Sequence, residues 1–128
     1  SYVATVIDVE VQGKDIKVHD AYVVLDCGTH INPDTCVAQM EGAVVFGLSL
    51  ALKSEITFDK GSAVQGNLDT YELIRMMESP RVTVDLVQSE ALPAGVGEPG
   101  VPPVAPALTN AIFAASGQRI RKLPVSLA

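Results

Sequence analysis

The chain lacks an apolar run long enough to cross a membrane. Its longest, "VVFGLSLAL" from Val44 to Leu52, falls well short of the roughly 20 residues a spanning helix needs, so no transmembrane segment is expected. Positive charge is also scarce: 9 Lys+Arg stand against 15 Asp+Glu, for a net charge of −6. Nucleic-acid binding usually requires a basic stripe to neutralise phosphates, and that class is disfavoured. The one basic cluster, "RIRK" from Arg119 to Lys122, follows a predicted helix end, where cations complement the helix dipole. Two cysteines, Cys27 and Cys36, cannot build a disulfide framework and say little about compartment. With His30 between them a three-ligand zinc site can be drawn. A structural zinc site wants four ligands, however, and the other histidine, His19, belongs to a different predicted strand. Small buried thiols are the expected state. Finally, there is no initiator Met, basic leader or cleavage site, since "SYVATVIDVEV" starts directly in strand-like alternation. The chain reads as the later part of something longer, with any targeting signal upstream.

What is present fits one domain over residues 1–128. Hydrophobic residues make up 48% of the chain, which is apolar for a domain of this size. Some of that surface is expected to meet another protein segment.

Tyr2 to Val11 and Ile16 to Leu25 are β-branched, partly alternating runs joined by "QGKD", the signature of an antiparallel hairpin. "INPDT" then offers Asn32 as cap, Pro33 at the first helical position and Asp34 facing the positive helix end, predicting a helix from Pro33 to about Lys53. That helix is apolar on nearly every side, which predicts burial, and it carries Gly42 and Gly47 inside it, which predicts close approach of another backbone or a ligand. Gln39 and Glu41 are its polar exceptions, and the residues alone favour Gln39 hydrogen-bonding a neighbouring loop's backbone over binding a ligand. "EITFDKG" reads as a short strand and turn, "NLDTYELIRMMESP" as irregular, and "RVTVDLVQSE" as a strand with one buried face. A last helix, "APALTNAIFAASG", places Pro106 in its first turn and Gly117 as a left-handed stop. The expected fold class is α+β: an antiparallel hairpin and further strands packed with a long buried helix and a C-terminal helix.

Between the last strand and the last helix lies "GVGEPGVPPV". Gly95, Gly97 and Gly100 permit positive φ or close approach, while Pro99, Pro102 and Pro103 restrict their neighbours. They make a shaped loop that holds one carboxylate, Glu98, ahead of a helix N-terminus. The chain supplies Glu98 with no partner acid, Ser–His pair or ligand cluster, so catalysis by it would need a cofactor or residues from elsewhere.

"GVGEPGVPPVAPALTNAIFAASGQRIRKLP" closely resembles the C-terminal segment of the large, molybdenum-binding subunit of molybdenum hydroxylases, the xanthine dehydrogenase and aldehyde oxidase family. It is most similar to the isoquinoline 1-oxidoreductase β-subunit group. "DCGTHINPDTCVAQMEGAVVFGLSLAL" resembles the family's D-x-G-x-x-x-N-P hairpin end and the glutamine-bearing helix after it, and "QGNLDTYELIRMMESP" its N-x-x-x-Y … R … P stretch. The resemblance implies that Glu98 is the general base beside the molybdenum, in a hydroxylation whose oxygen derives from water. It implies that Gln39 and Gly97 contact a molybdenum–pterin cofactor, either molybdopterin or its cytosine dinucleotide, and that no protein side chain here ligates the metal. The substrate would be a small N-heteroaromatic or an aldehyde. The family's other pterin loops lie upstream of Ser1, and its iron–sulfur clusters sit in another subunit or domain; neither cysteine fits their spacing. The partners implied are the upstream part of the same subunit and an iron–sulfur subunit. The chain alone is expected to bind no cofactor, to be inactive and to self-associate through its apolar surface. The alternative is a non-catalytic α+β interaction module that keeps the fold.

Overall fold

The computed structural model describes all of residues 1–128. Strand β1 (Tyr2–Gln12) and strand β2 (Asp15–Asp26) form the expected hairpin. Its turn is Gly13-Lys14, with Gly13 at φ 61°; positive φ at the first turn position alone is the pattern that matches the twist of the flanking strands. A register shift between Asp8 and Val9 breaks the ladder once.

Helix α1 (Pro33–Leu52) begins where the caps predict: the Asn32 side chain accepts the Thr35 backbone N–H at 3.2 Å. Two short strands, β3 (Phe58–Asp59) and β4 (Ser62–Ala63), make a small separate hairpin. A turn of 3-10 helix covers Met76–Glu78. Strand β5 (Arg81–Leu86) then joins the main sheet, and helix α2 (Val104–Ser116) ends at Gly117 with φ 74°. The α+β class therefore holds.

The main sheet has the order β1-β2-β5, antiparallel on the hairpin side and parallel where β5 meets β2. Parallel neighbours need a long crossover, here the whole segment carrying α1. Ala21, Val23 and Leu25 of β2 point into the core beside Met40, Val44 and Leu48 of α1 and Val104, Leu108 and Ile112 of α2. Period-2 alternation puts the other β2 positions on the outer face. There Val6 lies opposite Tyr22, and Ala4 opposite Val24. The outer face is open: Tyr2, Val6, Tyr22 and Val24 are 80%, 65%, 46% and 41% exposed.

One expectation about α1 needs correcting, and another holds at one position within the chain. It is buried along one face only, through Cys36, Met40, Ala43, Val44, Gly47, Leu48, Ser49 and Ala51, while Phe46 on the other side is 55% exposed. Its glycines also differ. A Cβ on Gly47 would meet Val104, but one on Gly42 would meet nothing within 4 Å. Taken as a whole, moreover, α1 has the length and composition of a membrane span, which counting the uninterrupted run Val44–Leu52 missed. Here it serves as the core helix, with Met40, Val44 and Leu48 fully buried.

Ser49 explains how a polar residue survives in that helix. Its hydroxyl donates to the Val45 carbonyl at 2.9 Å and accepts the Ile74 N–H at 3.2 Å. A buried polar group is tolerated when its partners are present, and Ser49 thereby ties the irregular segment before β5 to α1.

Candidate functional site

The loop from Val87 to Pro103 lies along the end of β2 and then crosses to α1. Val87 N–H donates to Leu25 O, and Ala94 N–H to Cys27 O, both at 2.9 Å. Thr29 donates to Ala91 O through its N–H at 2.9 Å and its hydroxyl at 3.1 Å. Gly28, at φ 74°, passes so close that a Cβ on it would lie 2.3 Å from Leu92 O. Glycine is required there for both reasons. At the far end Gly100 sits on α1, where a Cβ would be 2.7 Å from Ala43 Cβ and 3.0 Å from Met40 Sδ.

Glu98 starts a tight turn whose carbonyl accepts the Val101 N–H at 2.9 Å. Pro99 occupies the second position of that turn, where its fixed φ is pre-organised. A second turn follows at once, with Val104 N–H donating to Val101 O at 3.2 Å, and leads into α2. The Glu98 side chain is exposed. Gln39 comes to the same place from α1: it too is exposed, and its Nε2 donates a long 3.5 Å hydrogen bond to Val96 O. The two predicted site residues, 59 positions apart in the chain, are thus brought to one loop.

Gly95 and Gly97 behave unlike Gly28 and Gly100. Neither takes a positive φ, and a Cβ on either would meet nothing within 4 Å. Nothing inside the chain demands glycine at these two positions. A concavity of about 640 Å³ lies elsewhere, along the outer side of α1, lined by Gly42, Phe46, Leu73 and Val82 among others.

Cys27 and Cys36 are free and buried. Burial, with the neighbouring Cys36 thiol, pushes the Cys27 thiol up from its ordinary value. No group of three His, Cys, Asp or Glu side chains comes together to hold a metal ion, so the zinc drawing of Cys27, His30 and Cys36 has no geometric basis. His30 Nδ1 is buried without a hydrogen-bond partner.

Residues 1–80 match the molybdopterin cofactor-binding domain family, and the chain belongs to that family. The match includes Gln39 and ends before the Glu98 loop. Among individual relatives, the chain is 41% identical over 103 residues to the membrane-bound aldehyde dehydrogenase (pyrroloquinoline-quinone) of Gluconacetobacter polyoxogenes, covering 80% of this chain and 13% of that one. It is 36% identical over 110 residues to the isoquinoline 1-oxidoreductase subunit beta of Brevundimonas diminuta, covering 86% of this chain and 14% of that one. The fold recurs in the Cu,Mo-CO dehydrogenase, with a TM-score of 0.70 and 28% identity over 80% of this chain and 14% of that one. It recurs also in quinoline 2-oxidoreductase from Pseudomonas putida 86, with a TM-score of 0.71 and 24% identity over 86% of this chain and 15% of that one. The chain therefore spans only about a seventh of the length of these relatives.

The bonds joining Cys27 to Ala94 and Thr29 to Ala91, and the close approach that requires Gly28, were not legible in the sequence. The signal was present in "DCGT", where Asp26 and Gly28 match a family motif, but nothing in one sequence says which distant segment Gly28 must admit.

Proposed function

We propose that residues 1–128 form the C-terminal part of the molybdenum cofactor-binding region of a molybdenum hydroxylase large subunit, with Glu98 as its general base. The observation that carries this reading is the Glu98 loop itself. It presents a lone exposed carboxylate two residues after the Val96 carbonyl that Gln39 reaches, in a loop whose Gly95 and Gly97 have no reason to be glycine within the chain. A ligand that lies against Gly97 would supply that reason. The half-built character of the site agrees with a chain that spans about a seventh of its relatives.

The residues present fit such a cofactor. Gln39 offers an amide donor and acceptor to pterin edges, Gly97 lets a flat group approach the backbone, and no side-chain cluster competes for the metal. When bound, the molybdenum–pterin group supplies the two-electron redox chemistry of hydroxylation. Glu98 would accept, at its carboxylate oxygen, the proton given up by the water-derived oxygen as that oxygen bonds to the substrate carbon. The paired turns over Pro99 and Pro102 hold the backbone that carries Glu98, which favours the positioning that general-base catalysis requires. The upstream part of the subunit covers the open side, and an iron–sulfur subunit takes the electrons. Aldehydes and N-heteroaromatics are the substrate classes, in keeping with what the relatives' names describe. The isolated chain holds no cofactor and turns nothing over.

The test is Glu98→Gln in the complete subunit. Cofactor content stays near wild type while turnover falls by ~10²–10⁴-fold, the usual cost of losing a general base. Metal-replete variant enzyme with near-normal kcat would sink the assignment.

A further inference from the structure

The Asp26-Cys27-Gly28-Thr29 turn does more than end a hairpin. Asp26 Oδ1 accepts the Gly28 N–H at 3.1 Å, which holds Gly28 in its left-handed conformation. That turn aims the next N–H and the Thr29 hydroxyl at Ala91 O, at 2.9 and 3.1 Å; the hydroxyl also reaches Ser89 O at 3.4 Å. The Cys27 carbonyl takes the Ala94 N–H at 2.9 Å. Leu25, Cys27 and Thr29 thus hang the segment after β5 on the end of β2, but not as a continued parallel ladder: Cys27 meets Ala94 and Thr29 meets Ala91, so the segment folds back past Gly28 with no strand structure of its own. Gly28 lets this segment come closer than any side chain would allow, with Leu92 O where its Cβ would be.

The second anchor is Gly100 against Met40 and Ala43. Glu98 sits between the two anchors, four residues after Ala94 and two before Gly100. With both ends held and Pro99 fixing the turn, the path of the Glu98 backbone depends on the position of residues 91–94. Those residues are hung on Cys27 and Thr29.

We infer that Asp26, Gly28 and Thr29 form a cradle that sets where Glu98 stands, with the Thr29 hydroxyl as its adjustable positioning group. The inference rests on the reading of Glu98 as the base. Thr29 touches no reacting atom; it acts through the Ala91 carbonyl. Its hydroxyl is the one part of the cradle that substitution can remove without altering backbone, because Thr→Val keeps shape and loses only the donor.

Two measurements test this. In the complete, cofactor-loaded subunit, Thr29→Val lowers kcat by ~10–100-fold, the cost of a small misplacement of a catalytic group, with KM and molybdenum content unchanged, and Thr29→Ser restores kcat. In the 128-residue chain, hydrogen exchange across residues 91–100 is faster in Thr29→Val than in wild type or Thr29→Ser. Wild-type kcat in Thr29→Val, alongside inactive Glu98→Gln, overturns the cradle and leaves the base. Faster exchange in Thr29→Val, with fully active Glu98→Gln, removes the base and keeps the cradle as the device that holds this loop. Unchanged exchange, or a Ser variant no better than Val, overturns the role of the hydroxyl. Gly28→Ala is the harsher second variant: its Cβ displaces Leu92 O, and its loss of turnover exceeds that of Thr29→Val.

Discussion

A Cβ on Gly47 would lie 2.7 Å from the Cβ of Val104 and 2.9 and 3.0 Å from its two methyls. Helices α1 and α2 touch at that point, and Val104, fully buried, is the first residue of α2. Ala gains about 1 kcal/mol over Gly in a helix interior, but overfilling a packed core costs about 1–3 kcal/mol. Gly47→Ala is therefore expected to be destabilising by up to about 2 kcal/mol, with Val104→Ala relieving part of the loss. Gly42→Ala, whose Cβ meets nothing, raises stability by about 1 kcal/mol in this chain. Thermal or denaturant unfolding of the two variants checks both signs; equal effects would show that α1 and α2 do not meet as described.

Gln39 gives a contrasting prediction, because it is exposed and makes one long hydrogen bond. Gln39→Ala leaves the unfolding temperature of the isolated chain within experimental error, since surface substitutions usually fall within about 0.5 kcal/mol. In the complete subunit it lowers molybdenum and pterin content. Full cofactor occupancy in purified Gln39→Ala subunit would remove it from the cofactor site.

The Lys53–Glu78 pair sets a pH response. The Lys53 ammonium, 2.5 Å from Glu78 Oε1, holds that carboxyl below its ordinary value, helped by the Arg75 backbone N–H. A depressed carboxylate contributes its stabilisation above its unfolded pKa and loses it as pH falls through the folded one. Lys53→Met should move the Glu78 titration upward, measured by carboxyl-carbon NMR. The effect on stability is small, since the pair faces solvent. An unmoved Glu78 curve would show the contact is not populated in solution.

Self-association is expected of the isolated chain. The outer sheet face brings Tyr2, Val6, Tyr22 and Val24 together, and contiguous apolar patches of this kind are usually covered. Val6→Glu, at a position already 65% exposed, should leave the circular dichroism spectrum intact and shift light scattering toward monomer. A wild-type chain that stays monomeric at high concentration contradicts this.

Local structure was largely legible before the fold was known. Asn32, Pro33 and Asp34 mark the start of α1, Gly117 the end of α2, and the period-2 run after Arg81 the strand β5, because these signals act within a few residues. The parallel partnership of β5 with β2 was not legible, since nothing near Arg81 encodes which strand it joins. The one-sided burial of α1 was hidden for a related reason: its outer face is as apolar as its inner one, so composition alone cannot tell them apart. At the site, Gln39 and Glu98 stood out in the sequence, and their roles came from family likeness. Thr29 and Ser49 passed unnoticed, because each matters through a partner carbonyl or amide 25 or more positions away.

The span of those partnerships bears on the order of folding. The hairpin closes over a two-residue turn, whereas Thr29 reaches Ala91 across 62 positions and Gln39 reaches Val96 across 57. Distant contacts bear the larger closure entropy and form later. In refolding, the β1–β2 amides should gain protection before the amide of Ala94 does. The segment carrying the carboxylate thus assembles after the hairpin, on a strand end already in place.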